Sequence, residues 1–104
     1  MGNPYRGEVS LVVDGRELPM RLTLGALAEL EAVLQNDSLM ALVERFESGA
    51  FRAGDLIALL VAGLRGAGWP GDAVVLGSAE IGGGAIGAAK AAGRLLKLAF
   101  SLPE

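Results

Sequence analysis

The chain has 104 residues, a formal net charge of −3, and neither histidine nor cysteine. This length fits one domain, which we place at residues 1–104. The excess of acidic residues argues against a nucleic-acid binder, because the surface of such a protein should be basic. Without His and Cys, the commonest general base, thiol nucleophile and metal ligands are missing, so the composition predicts a non-enzymatic protein without cofactor or metal.

Two segments of alternating apolar residues predict a β-hairpin over about residues 8–24. The residues expected on one face are Val9, Leu11 and Val13 in the first strand, and Leu18, Met20, Leu22 and Leu24 in the second. Asp14-Gly15 lies between the strands and favours a type I′ turn, because both positions tolerate positive φ. Pro19 has no amide hydrogen to donate, which predicts a solvent-facing edge on the second strand.

The apolar spacing then changes to three and four, which predicts about four helices over residues 24–102. The stripe expected to be buried on the first helix is Leu24, Leu27, Leu30, Val33 and Leu34. Thr23 is its expected N-cap, and Asn36-Asp37 is its expected end. Ser38 is expected to cap a second helix, which ends where Gly49 can adopt the left-handed conformation.

A third helix, from about Gly54 to Arg65, is apolar around most of its circumference, so we expect it at the centre of the domain. Residues 72–80 fit either a short strand or one helical turn, because periodicity cannot separate the two over so short a run. A final helix is predicted over about residues 85–100. A hairpin followed by helices gives an α+β fold class.

Gly82-x-Gly84-x-x-Gly87 matches the dinucleotide-binding string. That mechanism needs a strand before the glycines and a second strand whose acidic residue binds the ribose. Here Val74-Val75-Leu76 is a poor strand, Ser78-Ala79-Glu80 separates it from the glycines, and no second strand is predicted. Ala88 stands where a P-loop requires lysine. We therefore interpret the segment as a flexible turn into the last helix, and a nucleotide-dependent enzyme is the least favoured hypothesis.

The last helix combines small residues with three basic ones. Small residues recur every fourth position in two rows, Gly83/Gly87/Ala91 and Gly84/Ala88/Ala92, which predicts close packing within the domain or in an oligomer. Lys90, Arg94 and Lys97 share one helix face and interrupt the segment too often for a membrane span. A solvated face is favoured over a site for a membrane surface or an acidic partner.

Two aromatic residues complete the candidate protein-binding set of Trp69, Lys90, Arg94, Lys97 and Phe100. Trp69 lies in a glycine-rich loop, where covering the core is favoured over contact with a partner. Phe100 belongs to an apolar C-terminal stretch that either docks on the domain or binds another protein. The acidic residues Glu29, Glu44, Glu47 and Asp55 are interpreted as surface charges, because no motif draws them into a catalytic cleft.

Several stretches carry a more specific pattern. They are NPYRGEV at residues 3–9, VDG at 13–15, LTLGALAELE at 22–31, SLxxLxxRF at 38–46, DL at 55–56, AGLRGAG at 62–68 and LLxxxF at 95–100. Together they resemble a family encoded with bacterial gene transfer agents, which are phage-derived particles, and the family looks like their tail-assembly chaperones. Residues of about 70–84 depart from the pattern, because similar sequences carry a more acidic, plainly helical stretch there.

The resemblance implies a non-enzymatic, cytoplasmic protein that coats the tape-measure protein and helps tail-tube subunits to polymerise around it. The implied partners are the tape-measure protein and a tail-tube subunit, together with self-association, and neither nucleic acid nor membrane. The alternative hypothesis is a small cytoplasmic adaptor or regulatory module, unrelated to phage tails, that binds one cellular protein.

Overall fold

A computed structural model describes residues 8–34 and 38–100 of the chain. An antiparallel hairpin is followed by helices, in the order β1 Glu8–Val13, β2 Arg16–Arg21, α1 Leu24–Leu34, α2 Leu39–Ser48, α3 Ala53–Gly66, α4 Ala73–Ser78 and α5 Gly84–Phe100. The α+β fold class is confirmed. The described residues form five helices rather than about four, because residues 73–78 form a short helix of their own.

The hairpin forms with the predicted turn. Val13 pairs with Arg16 across Asp14-Gly15, and these two turn residues have φ values of 51° and 80°, as a type I′ turn requires. In the described sheet β2 pairs only with β1, and Pro19 is exposed. The side chains on the inner face of β1 are buried, and Met20 on β2 is completely buried.

The second strand ends earlier than predicted, and the buried face of α1 differs from the predicted stripe. The Thr23 Oγ1 accepts a hydrogen bond from the Ala26 N–H at 3.0 Å, so the helix begins at Leu24, which is 86% exposed. The residues that α1 buries fully are Ala26 and Leu30, while Val33 is 63% exposed. The expected end at Asn36-Asp37 lies outside the described residues.

Close approach to α3 explains this choice of face. A Cβ placed on Gly66 of α3 would overlap the Arg21 carbonyl at the end of β2 and lie 3.3 Å from the Cβ of Ala26, so two small residues meet between α1 and α3. A leucine in place of Ala26 would require the helices to separate. The predicted stripe was therefore wrong at Leu24 and Val33, because the fit to α3 outweighs side-chain hydrophobicity.

Helix α3 lies at the centre of the fold, as predicted. The hairpin packs against α3 through β2, and α1, α4 and α5 also pack against it. The residues that α3 buries are Asp55, Leu59, Leu60, Ala62, Gly63 and Leu64. Gly63 allows the packing to be tight, because a Cβ there would overlap Leu95 of α5 and lie 3.1 Å from the Cβ of Met20. The hairpin and α5 thus share one core with α3.

The ends of α2 also agree with the sequence. The Ser38 Oγ accepts a hydrogen bond from the Ala41 N–H at 3.0 Å, and Gly49 has a φ of 80° in the left-handed region. The ambiguous segment is resolved as α4, because Asp72 caps it by accepting a hydrogen bond from the Val75 N–H at 3.0 Å. Leu76 is the residue that α4 buries, whereas Val74 and Val75 are exposed.

The glycine-rich segment before α5 is joined to the hairpin by hydrogen bonds. The Gly82 N–H donates to the Val12 carbonyl at 2.9 Å, and the Asp14 N–H donates to the Glu80 carbonyl at 2.7 Å. The Asp14 carboxylate in turn accepts from the Glu80 N–H at 2.8 Å. The segment is a turn that leads into the last helix, as predicted, and these bonds anchor it to the end of β1.

Contact with neighbouring atoms accounts for the glycines of the dinucleotide-like string. A Cβ on Gly82 would lie 2.7 Å from the Cβ of Val12, and a Cβ on Gly87 would overlap the Gly82 carbonyl. Gly84 begins α5 with a φ of 65°. The fold itself thus requires glycine at these positions.

The small residues of α5 let it pack closely within the domain. The residues it buries are Ala88, Ala91, Ala92, Leu95 and Leu96, and the helix packs against the hairpin and α3. This confirms close packing for the small-residue rows. Within the part of the chain that the structure describes, none of the helices has the length and apolarity needed to traverse a bilayer.

Candidate functional site

An apolar groove separates α2 from α5, and we call it the α2–α5 groove. Its volume is about 690 Å³, and its lining residues are Met40, Val43, Phe46, Glu47, Gly93, Leu96, Lys97 and Phe100. Two of the large apolar side chains in this lining are exposed, Met40 at 61% and Phe100 at 38%. The groove therefore presents apolar surface to solvent between two helices.

Helix α2 forms one wall of the groove. It rests on the core through Leu42, which is completely buried, with Val43 and Phe46 partly buried beside it. The ring of Phe46 stacks on that of Phe51, with centroids 4.5 Å apart and planes 3° from parallel. Phe51 lies in the connection to α3, so this stacking orients Phe46 in the wall.

The predicted basic residues lie along α5, beside the groove. Lys90, Arg94 and Lys97 are all exposed, and they share a helix face at spacings of four and three. Lys97 and Phe100 line the groove itself, where Glu47 is the acidic residue of the opposite wall. The structure thus brings Lys97 and Phe100 together and places Lys90 and Arg94 on the adjoining surface.

Trp69 does not line this groove. Its side chain is partly buried and packs against the core, and its ring occupies the space that a Cβ on Gly71 would need. The Trp69 N–H donates to the Leu64 carbonyl at 2.9 Å, which ties the loop to the end of α3. This placement agrees with the interpretation that Trp69 covers the core.

The sequence interpretation missed the role of Asp55, which is 7% exposed and not a surface charge. Arg45 of α2 donates to its two carboxylate oxygens, from Nε at 3.0 Å and from Nη2 at 3.3 Å. The Arg52 N–H donates to the same carboxylate at 3.0 Å. This buried ion pair ties α2 to the N-terminus of α3 and so helps to hold one wall of the groove.

The environment lowers the pKa of Asp55. Burial is the largest single influence and raises the pKa, but the hydrogen bond from the Arg52 backbone, the hydrogen bonds from Arg45 and the positive charges of both residues together outweigh it. The sequence signal for this role was an acidic residue in the first turn of a helix. By contrast, Glu29 is exposed, as expected of a surface charge, and accepts from the Arg65 Nε at 3.3 Å.

A second groove lies on the other side of α3, between α1, α3 and α4. Its volume is about 390 Å³, and the lining residues are Glu29, Leu30, Val33, Gly54, Ile57, Ala58, Val61, Ala62, Ala73 and Val74. Val33 and Val74 are 63% and 78% exposed. Among the described residues, no three Asp or Glu side chains are grouped as metal ligands would be.

Comparison with known proteins identifies the family. Residues 6–102 match the family described as phage tail tube protein, GTA-gp10. The chain belongs to this family. No curated protein and no solved structure gives a significant match.

Membership of the phage tail tube protein family confirms the gene transfer agent or phage tail part of the resemblance. It also indicates that the partners are proteins of a tail assembly. This favours a protein of phage-like tails over an adaptor unrelated to tails. The family's description names the tail tube and not an assembly chaperone. The chaperone role and the tape-measure partner are therefore not confirmed by this match.

Proposed function

We propose that this phage-tail family member is a non-enzymatic, cytoplasmic assembly protein whose α2–α5 groove binds a helical segment of another tail protein. The observation that supports the proposal is the exposure of the apolar side chains of Met40 and Phe100 in a largely apolar groove. Apolar side chains that are exposed together in a groove often mark a site where another protein binds.

The shape of the groove favours a helix as the bound element. Two helices form its walls, and an amphipathic helix can lay its apolar face between them, with side chains spaced by three and four residues entering the groove. The proposed partner is the tape-measure protein or a tail-tube subunit. A tape-measure protein is a long, helical and partly apolar chain, so covering its apolar face would keep it from aggregating.

A second candidate function is that of a structural subunit of the tail tube. The family's printed description favours it. In that case the chain would associate with itself and be present in many copies in finished particles. An assembly chaperone would instead bind its partner before the particle is complete, and it would be scarce or absent in finished particles.

Photo-crosslinking during particle assembly tests the proposal. The tagged chain, carrying photoreactive benzoylphenylalanine in place of Met40, is expressed with the tail genes of its own organism, and crosslinked proteins are identified by mass spectrometry. Glu31, which is exposed on α1 and lines neither groove, carries the same group in a matched control. We expect tape-measure or tube protein to be crosslinked from Met40 and not from Glu31.

Two results would contradict the proposal. The first is crosslinking only to cellular proteins unrelated to tails while tail components are demonstrably present in the lysate. The second is a high copy number of the chain in purified particles with crosslinks only between its own copies, which would establish the tube-subunit function instead.

A further inference from the structure

Helix α5 has an apolar seam along the edge of the face that it buries, and the seam and the buried face share Leu96. Ile86, Ala89, Gly93, Leu96 and Phe100 follow one another at intervals of three, four, three and four residues. This is the heptad spacing by which one helix packs along another. The residues that fill the domain core, such as Ala88 and Leu95, lie on a different side of the helix.

The seam is exposed at its two ends, while Ala89 and Gly93 between them are partly buried and Leu96 is buried. Ile86 is 71% exposed at its N-terminal end and Phe100 is 38% exposed at its C-terminal end. Gly93, Leu96 and Phe100 also line the α2–α5 groove. The C-terminal part of the seam therefore lines the groove, and Ala89 and Ile86 continue the same edge of α5 toward its N-terminus.

Basic residues flank this surface on the α5 side. Lys90 and Lys97 each come directly after a seam residue. In a heptad repeat, this flanking position often carries the charges that select the partner helix. Arg94 lies between them, and α5 contains neither Asp nor Glu. The acidic residue in the groove, Glu47, lies on the α2 wall.

We propose that the seam binds an amphipathic helix of another protein that has Asp or Glu side chains along one edge of its apolar stripe. The acidic edge of that helix lies against α5, because the opposite wall carries Glu47. The inference rests on the proposed function and names the chemistry of its partner. Pairing with α5 of a second copy is disfavoured, because it would bring two rows of basic residues together.

Binding of designed peptides tests the inference directly. Two synthetic helical peptides of about three heptads, with leucine at both seam positions, carry either Glu or Lys at the flanking positions. Their affinities for the full chain are measured by fluorescence anisotropy. We expect the Glu peptide to bind at least about tenfold more tightly than the Lys peptide, and this preference to shrink as salt is added.

Charge-reversal variants provide the control. The double substitution Lys90→Glu with Arg94→Glu should remove or invert the preference for the Glu peptide. The matched double substitution Arg16→Glu with Arg21→Glu, at exposed positions of the hairpin, should leave the preference for the Glu peptide in place. Circular dichroism melting curves establish that both variants are folded.

The outcomes separate this inference from the proposed function. Equal binding of both peptides, or preference for the Lys peptide, overturns the inference even if Met40 still crosslinks to a tail protein. A preference for the Glu peptide with no tail protein crosslinked from Met40 supports the inference and overturns the proposed function. A dimer in solution that dissociates on Ile86→Asp would show that a second copy occupies the seam, which also overturns the inference.

Discussion

At the scale of single residues, the pair Arg45–Asp55 shows how charge and fold are connected in this protein. A carboxylate that is 7% exposed is stable only if hydrogen bonds replace those it made to water. Asp55 accepts three such bonds, two from the Arg45 guanidinium and one from the Arg52 backbone. The position of α2 therefore depends on a polar contact as well as on Leu42.

We predict that Asp55→Asn lowers the free energy of unfolding by about 2 kcal/mol, because the neutral amide cannot replace the charge-assisted hydrogen bonds that the carboxylate accepts from Arg45 in a partly buried site. Urea denaturation followed by circular dichroism measures the change. The control is Glu29→Gln, which removes the exposed pair with Arg65 and should cost no more than about 1 kcal/mol. Equal costs for the two variants would contradict the assigned role of Asp55.

The lowered pKa of Asp55 gives a pH dependence with a definite sign. Its pKa in the folded protein lies below the ordinary value of 3.8, so the unfolded state takes up the proton first as the pH falls. The resulting stabilisation is fully present above 3.8 and is lost as the pH falls through the folded-state pKa. The free-energy difference between wild type and Asp55→Asn should therefore narrow in acid, and a constant difference down to pH values well below 3.8 would contradict this.

At the scale of elements, α4 shows that an apolar run can form a helix without burying most of its side chains. Val74 and Val75 are 78% and 53% exposed, and Leu76 is 4% exposed. The side chain of Asp72 defines the beginning of the helix. The short apolar run is therefore one turn of helix fixed by a cap and by one buried leucine, with its remaining apolar surface facing solvent.

We predict that substitutions at two positions of α4 differ in how much they change the free energy of unfolding. Val74→Glu should change the free energy of unfolding by no more than about 0.5 kcal/mol, because that side chain is mostly in solvent. Leu76→Ala should lower it by about 2–3 kcal/mol through loss of buried area and formation of a cavity. Chemical denaturation compares the two variants, and a large cost for Val74→Glu would show that the valine is buried in solution.

At the scale of the whole molecule, α3 connects the parts. The hairpin, α1, α4 and α5 all pack against it, and the glycine-rich segment before α5 is hydrogen-bonded to the end of the hairpin. Residues far apart in sequence are thus held by a shared core. Such sharing is expected to make unfolding cooperative, as it is in most domains of this size.

We predict coincident unfolding transitions from two probes. The fluorescence of Trp69, the one tryptophan of the chain, reports on the loop after α3, and far-UV circular dichroism reports on all helices. Leu59→Ala, at a completely buried position of α3, should lower both midpoints equally, at a cost of about 3 kcal/mol. Separate midpoints for the two probes would show that part of the fold is independent of α3.

Local sequence features were sufficient to predict most elements. The hairpin, its turn, the caps at Thr23 and Ser38, and the central α3 follow from periodicity and from the hydrogen bonds of neighbouring residues. The candidate site was only partly predictable. Lys97 and Phe100 were identified as candidates and do line the α2–α5 groove, but no sequence pattern indicated that Met40 of α2 lies in the same groove.

By itself, the sequence determined the α+β class, the order of the elements apart from α4, and membership of a phage tail family. These depend on interactions within a few residues or on the overall pattern of the chain. Only the tertiary structure decided that Leu24 and Val33 face solvent while Ala26 is buried, that Asp55 is paired, and that an apolar groove remains open between α2 and α5. The physical reason is that burial depends on how closely two elements approach, and this distance is set by residues distant in sequence, such as Gly66 opposite Ala26.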